Sequence, residues 1–292
     1  MVALDLVRLP PLMARSVGTP DVVVGLLDGP VPADHPGLAG GHVRTLPGHD
    51  TGRADPRGPA SRHATFVAGI LVGHRDGPAP AICPGCRLLV RPIFGPTGPD
   101  GRPSATPRQV AMAITECVRA GARVVNLSAG VARPSTRDEQ ELRYALDFAR
   151  RRGVIVVVAA GNQATVGGSA ITRHPWVVPV ASYGLDGRPS AYTNVGAAVG
   201  RRGLGAPGEG VTSLGPDGAP VTSRGTSVAA AFVTGATALL WSLFPAADAG
   251  AVWTAVVHGL GRRRVAVVPP LLDAWDAFVT LSSGRIGREV RV

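Results

Sequence analysis

Asp21-Val-Val-Val-Gly-Leu-Leu-Asp28-Gly29-Pro30 decides the fold: a short, β-branched apolar run with no polar alternation, closed by an acidic residue and a Gly-Pro turn. A run that is apolar on both faces reads as a strand buried on both faces, the kind that belongs to a parallel sheet covered by helices. Its carboxyl end carries Asp28, and open α/β sheets place their sites at the carboxyl ends of strands. Residues 88–93, 122–127, 154–159 and 177–181 read as further buried strands, with helical patterns at about 63–74, 107–120 and 136–151. This alternation predicts an α/β fold of three layers, α/β/α, around a mainly parallel central sheet. Residues 1–20 read as an N-terminal extension and 21–292 as a single domain.

The stretch Thr226-Ser227-Val-Ala-Ala-Ala-Phe-Val-Thr-Gly-Ala-Thr-Ala-Leu-Leu-Trp241 reads as a central buried helix. Its small residues Ala231, Gly235 and Ala238 would let it run close to the sheet. A last helix is expected near 270–281, after Pro269-Pro270, and Gly48–Pro59 and Gly95–Pro107 read as exposed loops.

With 292 residues, 45% of them apolar, the chain can bury one sizeable core without help from disulfides or metals. The net charge is +10, and all 30 basic residues are arginine. The arginines are spread out, with runs only at 150–152 and 262–264 and no aromatic stacking platform beside them, so nucleic acid is not the expected partner. An acidic stretch of peptide suits such a surface equally well. No apolar segment reaches the roughly 18 uninterrupted residues that a membrane helix needs, and 1–20 has no secretory pattern. These features, with three cysteines that cannot all pair, set the expectation of a cytoplasmic chain without a membrane segment. Cys83-Pro-Gly-Cys86 is a lone CxxC without a second ligand pair and is read as a buried, reduced dithiol, with no metal and no cofactor expected. His35, His42 and His49 lie among Gly and Pro and read as solvated loop residues.

Hydrolysis of an acyl group near neutral pH needs an activated nucleophile, a base, an anion to orient that base, and donors aimed at the developing oxyanion. Ser227 at a helix start, His63 opening an apolar helix behind a Ser61 cap, and Asp28 ending the first strand supply the first three. Each alone has an ordinary structural reading, as a cap, a core histidine or a turn residue. Their order, Asp then His then Ser, differs from the Ser, Asp, His order of α/β-hydrolases, and Ala229 breaks the Gly-x-Ser-x-Gly elbow of those enzymes.

On these residues the chain resembles the subtilisin family. Val-Val-Val-Gly-Leu-Leu-Asp28-Gly, with His35-Pro-Gly-Leu38 after it, is similar to that family's aspartate block. Arg62-His63-Ala-Thr-Phe-Val-Ala-Gly-Ile70 is similar to its histidine block, and Gly225-Thr-Ser227-Val-Ala-Ala230 to its serine block. Val124-Val-Asn-Leu-Ser-Ala-Gly130 and Val158-Ala-Ala-Gly-Asn162 are similar to the strands beside its substrate cleft. The resemblance implies a subtilisin-like fold and a serine endopeptidase in which Asp28, His63 and Ser227 form the triad and Asn162 donates to the oxyanion. It also implies that Ser128, Ala129 and Gly130 on one side, and Ala159, Ala160 and Gly161 on the other, pair with extended peptide and wall the specificity pocket.

Four departures stand beside the match: Gly29 where the family usually has Thr, Ala64 where it has Gly, Phe66 where it has a second His, and Ala231 where it has Pro. Only about twenty residues precede the first strand, so the expected likeness is to intracellular members that process ribosomally made precursor peptides. A catalytically silent peptide-binding subunit and a transpeptidase are the two other readings these residues admit.

Overall fold

The computed structural model describes residues 3–32, 34–38, 42–46, 58–77, 79, 81–94, 105–128, 140–258 and 266–284. Its strands are β1 (Val23–Asp28), β2 (Val43–Thr45), β3 (Arg87–Pro92), β4 (Val124–Leu127), β5 (Ile155–Ala159), β6 (Val177–Tyr183), β7 (Leu204–Pro207), β8 (Val211–Leu214) and β9 (Pro220–Ser223). The first seven form one sheet in the order β2-β3-β1-β4-β5-β6-β7, parallel throughout, while β8 and β9 form an antiparallel hairpin. The expected three-layer α/β/α arrangement is therefore what the chain forms.

The helices are α1 (Ala3–Leu6), α2 (Pro10–Met13), α3 (Pro59–Val72), α4 (Pro107–Arg119), α5 (Gln140–Arg151), α6 (Ala170–Arg173), α7 (Ala197–Arg202), α8 (Thr226–Leu243), α9 (Ala249–His258) and α10 (Ala274–Ser282). Strand periodicity divides the core between two faces. On β5, Ile155 and Val157 join the cluster that packs under α3 and α8, and Val156 and Val158 join the one under α4 and α5. The segment ahead of β1 contributes Val7, Leu9 and Leu12, all fully buried, to the first cluster.

Helix α8 is buried almost all round, which explains its composition. It is apolar and long enough to cross a membrane, but 89% of it lies inside the fold. Gly235 lets it approach the loop before β3, where a Cβ would come within 2.7 Å of Ile82. Thr234 Oγ1 donates to Asn126 Oδ1 on β4 at 2.9 Å, pinning the helix to the sheet centre.

Two local expectations change. Helix α3 starts at Pro59 behind Gly58, with no side-chain cap. Ser61 therefore lies inside the first turn with its hydroxyl buried and without a protein partner, and His63 sits on the second turn. Proline at the first helical position is preorganised for this start, so no cap is needed to place it. His35 is buried, not solvated: Nδ1 accepts from Gly37 N at 3.1 Å and Nε2 donates to Gly215 O at 2.8 Å, tying the loop after β1 to the β8–β9 hairpin. A partner 180 residues away in sequence leaves no local signal of this. His42 is half-buried, and His49 lies outside the described residues. Cys83, Cys86 and Cys117 are buried and unpaired.

Candidate active site

The chain builds outward from β1 in one direction to β3 and in the other to β4, so the order reverses beside β1. Such a switch point leaves a crevice at the carboxyl ends of the strands. Asp28 ends β1, Ser128 follows β4, and Asn162 follows β5, so three of the predicted site residues come together at that crevice.

Asp28 is fully buried, and its Oδ1 accepts from Gly29 N at 2.7 Å and from His63 Nδ1 at 2.9 Å. Because a carboxylate only accepts, Nδ1 carries the proton, and the lone pair on Nε2 faces Ser227 Oγ at 2.7 Å. Burial of the imidazole works to lower its pKa. The charge of Asp28 and the hydrogen bond to it outweigh that effect and hold His63 above the ordinary histidine value of 6.5.

Gly29 explains one departure from the family pattern. A Cβ there would lie 2.2 Å from the Ala60 carbonyl oxygen, so the first turn of α3 rests directly on the backbone after Asp28. That close approach brings His63, three residues further along the helix, within reach of Asp28. Ala64, Phe66 and Ala231, the other three departures, are buried in the core.

Ser227 lies in the first turn of α8, where helix N–H groups lack intrahelical partners. Asn162 is oriented by Thr226, whose N and Oγ1 both donate to Asn162 Oδ1 at 2.9 Å, while Thr226 Oγ1 also accepts from Gly161 N at 3.1 Å. With Oδ1 committed, the Nδ2 group turns towards the nucleophile. A point one bond out from the Gly225 Cα lies 3.3 Å from Ser227 Oγ, 3.4 Å from Asn162 Nδ2 and 3.9 Å from Ser227 N. Gly225, at φ 147°, carries no side chain to fill that space, and these three groups border it.

Ser128 is buried, and its hydroxyl accepts from Asn126 Nδ2 at 2.9 Å. Ala129 and Gly130 lie outside the described residues. Ala159, Ala160 and Gly161 form a wall, but the donors after β5 are already used. Ala160 N donates to Val180 O and Gly161 N to Thr226 Oγ1, and Gly161 O accepts from Asn194 N. The N–H groups of Ala160 and Gly161 are therefore engaged within the fold, so pairing of extended peptide along 159–161, expected from the resemblance, would not use them. Behind Ala160 is a cavity with room for about one water, lined by Thr165, Gly167, Ser169, Asn194 and Val199 among others. Thr165 Oγ1 is buried there without a protein partner. Sequence reasoning missed Thr226, which stands in the quoted serine block but acts on a residue 64 positions away.

Among the described residues no group of three or more His, Cys, Asp or Glu side chains clusters to hold a metal.

A subtilase-family model matches residues 19–264. Mycosin-1 of Mycobacterium tuberculosis is 30% identical over 239 residues, which cover 63% of this chain and 52% of that protein, so the chain spans about half the length of this relative. Among solved structures, a mutant of the protease domain of PatA superposes with a TM-score of 0.82 at 30% identity, covering 91% of this chain and 97% of that one. The prenylagaramide maturation protease PagA gives a TM-score of 0.82 at 27% identity, covering 94% and 98%. With the family's sequence pattern matched over most of its length and the family's fold reproduced strand by strand, the chain belongs to the subtilase family.

Proposed function

We propose that this chain is a serine endopeptidase that hydrolyses peptide bonds, with Asp28, His63 and Ser227 as its triad and Asn162 in its oxyanion hole. The observation that carries this reading is the continuous relay from the buried Asp28 through His63 to Ser227, at 2.9 and 2.7 Å.

Asp28 keeps the imidazole in the tautomer whose Nε2 accepts the Ser227 proton, and it stabilises the imidazolium formed as Ser227 Oγ attacks the carbonyl carbon. The carbonyl oxygen, now negative, sits between Asn162 Nδ2 and the Ser227 N–H. His63 then protonates the departing amine, the acyl-enzyme forms, and a water that gives its proton to His63 releases the acid.

The substrate we infer is a ribosomally made precursor peptide cut by a cytoplasmic enzyme. The support is that PagA, 27% identical and alike over nearly the whole chain, is named a maturation protease. Two exposed arginines flank the relay, Arg62 beside His63 and Arg224 three residues before Ser227, which favours an acidic recognition stretch in the substrate.

The experiment is fluorophosphonate labelling of the protein and its Ser227→Ala variant, followed by a peptide library at rising salt. Adduct at Ser227 alone and kcat/KM falling as salt screens the arginines are expected. An unlabelled folded protein would remove the peptidase reading. A salt-independent rate would remove the inference of an acidic recognition stretch.

A further inference from the structure

Behind the turn that delivers Ser227 lies a row of hydroxyls that the relay itself does not use. Ser190 Oγ is 2.9 Å from Ser182 Oγ, Ser182 Oγ is 2.8 Å from the Tyr192 phenol, and the phenol donates to the Gly208 carbonyl at 2.7 Å. A carbonyl can only accept, so the last bond sets the direction of the row. Tyr192 donates to Gly208, Ser182 donates to Tyr192, and Ser190 donates to Ser182.

The same Gly208 carbonyl accepts from Gly225 N at 2.8 Å, and Gly208 N donates to Tyr183 O on β6 at 2.9 Å. No side chain fits at Gly208: a Cβ there would lie 2.2 Å from Ser182 Oγ and 2.8 Å from the Gly225 carbonyl oxygen. The Tyr192 ring makes a second contact with the turn, the Arg224 guanidinium lying 5.8 Å from its centroid. The phenol thus touches the turn through both Gly208 and Arg224, while Ser182, fully buried on β6, ties it to the sheet. Gly225 caps α8, its carbonyl accepting from Val228 N at 3.1 Å and Ala229 N at 3.3 Å, and it borders the space shared by Ser227 Oγ and Asn162 Nδ2.

We propose that Tyr192 is a positioning residue for the nucleophile turn: through the Gly208 carbonyl its hydroxyl holds Gly225, and with it the geometry in which Ser227 and Asn162 face one substrate oxygen. The role rests on the reading of Ser227 as nucleophile. Among the described residues the Tyr192 hydroxyl bonds to Ser182 and Gly208 and not to Asp28, His63, Ser227 or Asn162. Its loss leaves binding intact and slows the chemical step, because Gly208 then holds Gly225 without the phenol to fix its own carbonyl.

The test is Tyr192→Phe, which removes one oxygen and keeps the ring, read by fluorophosphonate inactivation and by amide hydrogen exchange across residues 224–227. A fall in kinact of about 3- to 10-fold, the range that one ordinary hydrogen bond spans, is expected, with KI unchanged and exchange faster in that segment. Ser182→Ala, which removes the donor that orients the phenol, is the second variant and should shift both readouts the same way by less. Wild-type kinact in both variants would overturn the role, as would a change in KI alone. Should the wild-type chain itself fail to label at Ser227, the peptidase reading falls. Exchange then decides only the hold of Tyr192 on the turn at 224–227: unchanged protection in Tyr192→Phe overturns that hold, and faster exchange upholds it.

Discussion

Replacing Gly29 with alanine adds a single methyl group at the contact that brings α3 onto Asp28. The new Cβ would begin 2.2 Å from the Ala60 carbonyl oxygen and 2.4 Å from its carbon, where ordinary contacts begin at 3.4 Å. Both atoms are backbone, so no side chain can swing aside, and α3 must retreat by the difference, about 1.2 Å. Moved rigidly by that much, the 2.9 Å bond from His63 Nδ1 to Asp28 leaves hydrogen-bonding range. A misplacement of about 1 Å can cost on the order of 10²-fold in rate, and overpacking costs about 1–3 kcal/mol in stability. Gly29→Ala should therefore remain folded with a lower Tm, and its labelling at Ser227 should drop by about two orders of magnitude. It should also lose the upward pull on the His63 pKa that Asp28 exerts. The assay is the second-order rate of fluorophosphonate labelling as a function of pH, beside a thermal melt. Wild-type labelling and Tm in this variant would refute the claim that α3 rests on Gly29 and that this contact sets the relay.

His63 must be neutral to accept the serine proton, so the acid limb of kcat/KM is expected above pH 6.5. In Asp28→Asn only burial remains, and the limb should move below 6.5, together with a large loss of rate; an unmoved limb would separate Asp28 from the base. The stability contribution runs the other way, because the folded state holds the His63 proton more tightly than the unfolded chain. That contribution is complete below pH 6.5 and lost as pH rises through the folded pKa, which the difference in Tm between wild type and His63→Gln across pH 5.5 to 8.5 would trace. Thr226→Val removes one of the two bonds that hold Asn162 Oδ1, and kcat should fall about 10-fold at nearly constant KM, less than the 10² to 10³ typical of losing an oxyanion donor outright. Equal losses in Thr226→Val and Asn162→Ala would mean that Thr226 does more than orient the amide.

What the chain alone determined follows from short-range pattern. Continuous apolar runs such as Val22 to Leu27 can be satisfied only between two helical layers, so the parallel sheet and the placement of Asp28 at a strand end were legible without coordinates. The serine block announced its own helix, because the long run after Gly225 is rich in alanine and leucine, the strongest helix formers. The tertiary structure alone decided what depends on distance between elements. The burial of His35 against Gly215, the hold of Thr226 on Asn162 and the row from Ser190 to Gly208 all join segments that carry no mark of one another. The same is true of Gly29, which in sequence is a turn residue after a strand and in the fold is the surface on which the histidine helix rests. Periodicity encodes which face of an element is apolar, since every residue on that face shares the requirement. A hydrogen bond or a 2 Å approach between single residues depends on how two finished elements are laid together, and that relation exists only once the sheet has brought their ends to one crevice.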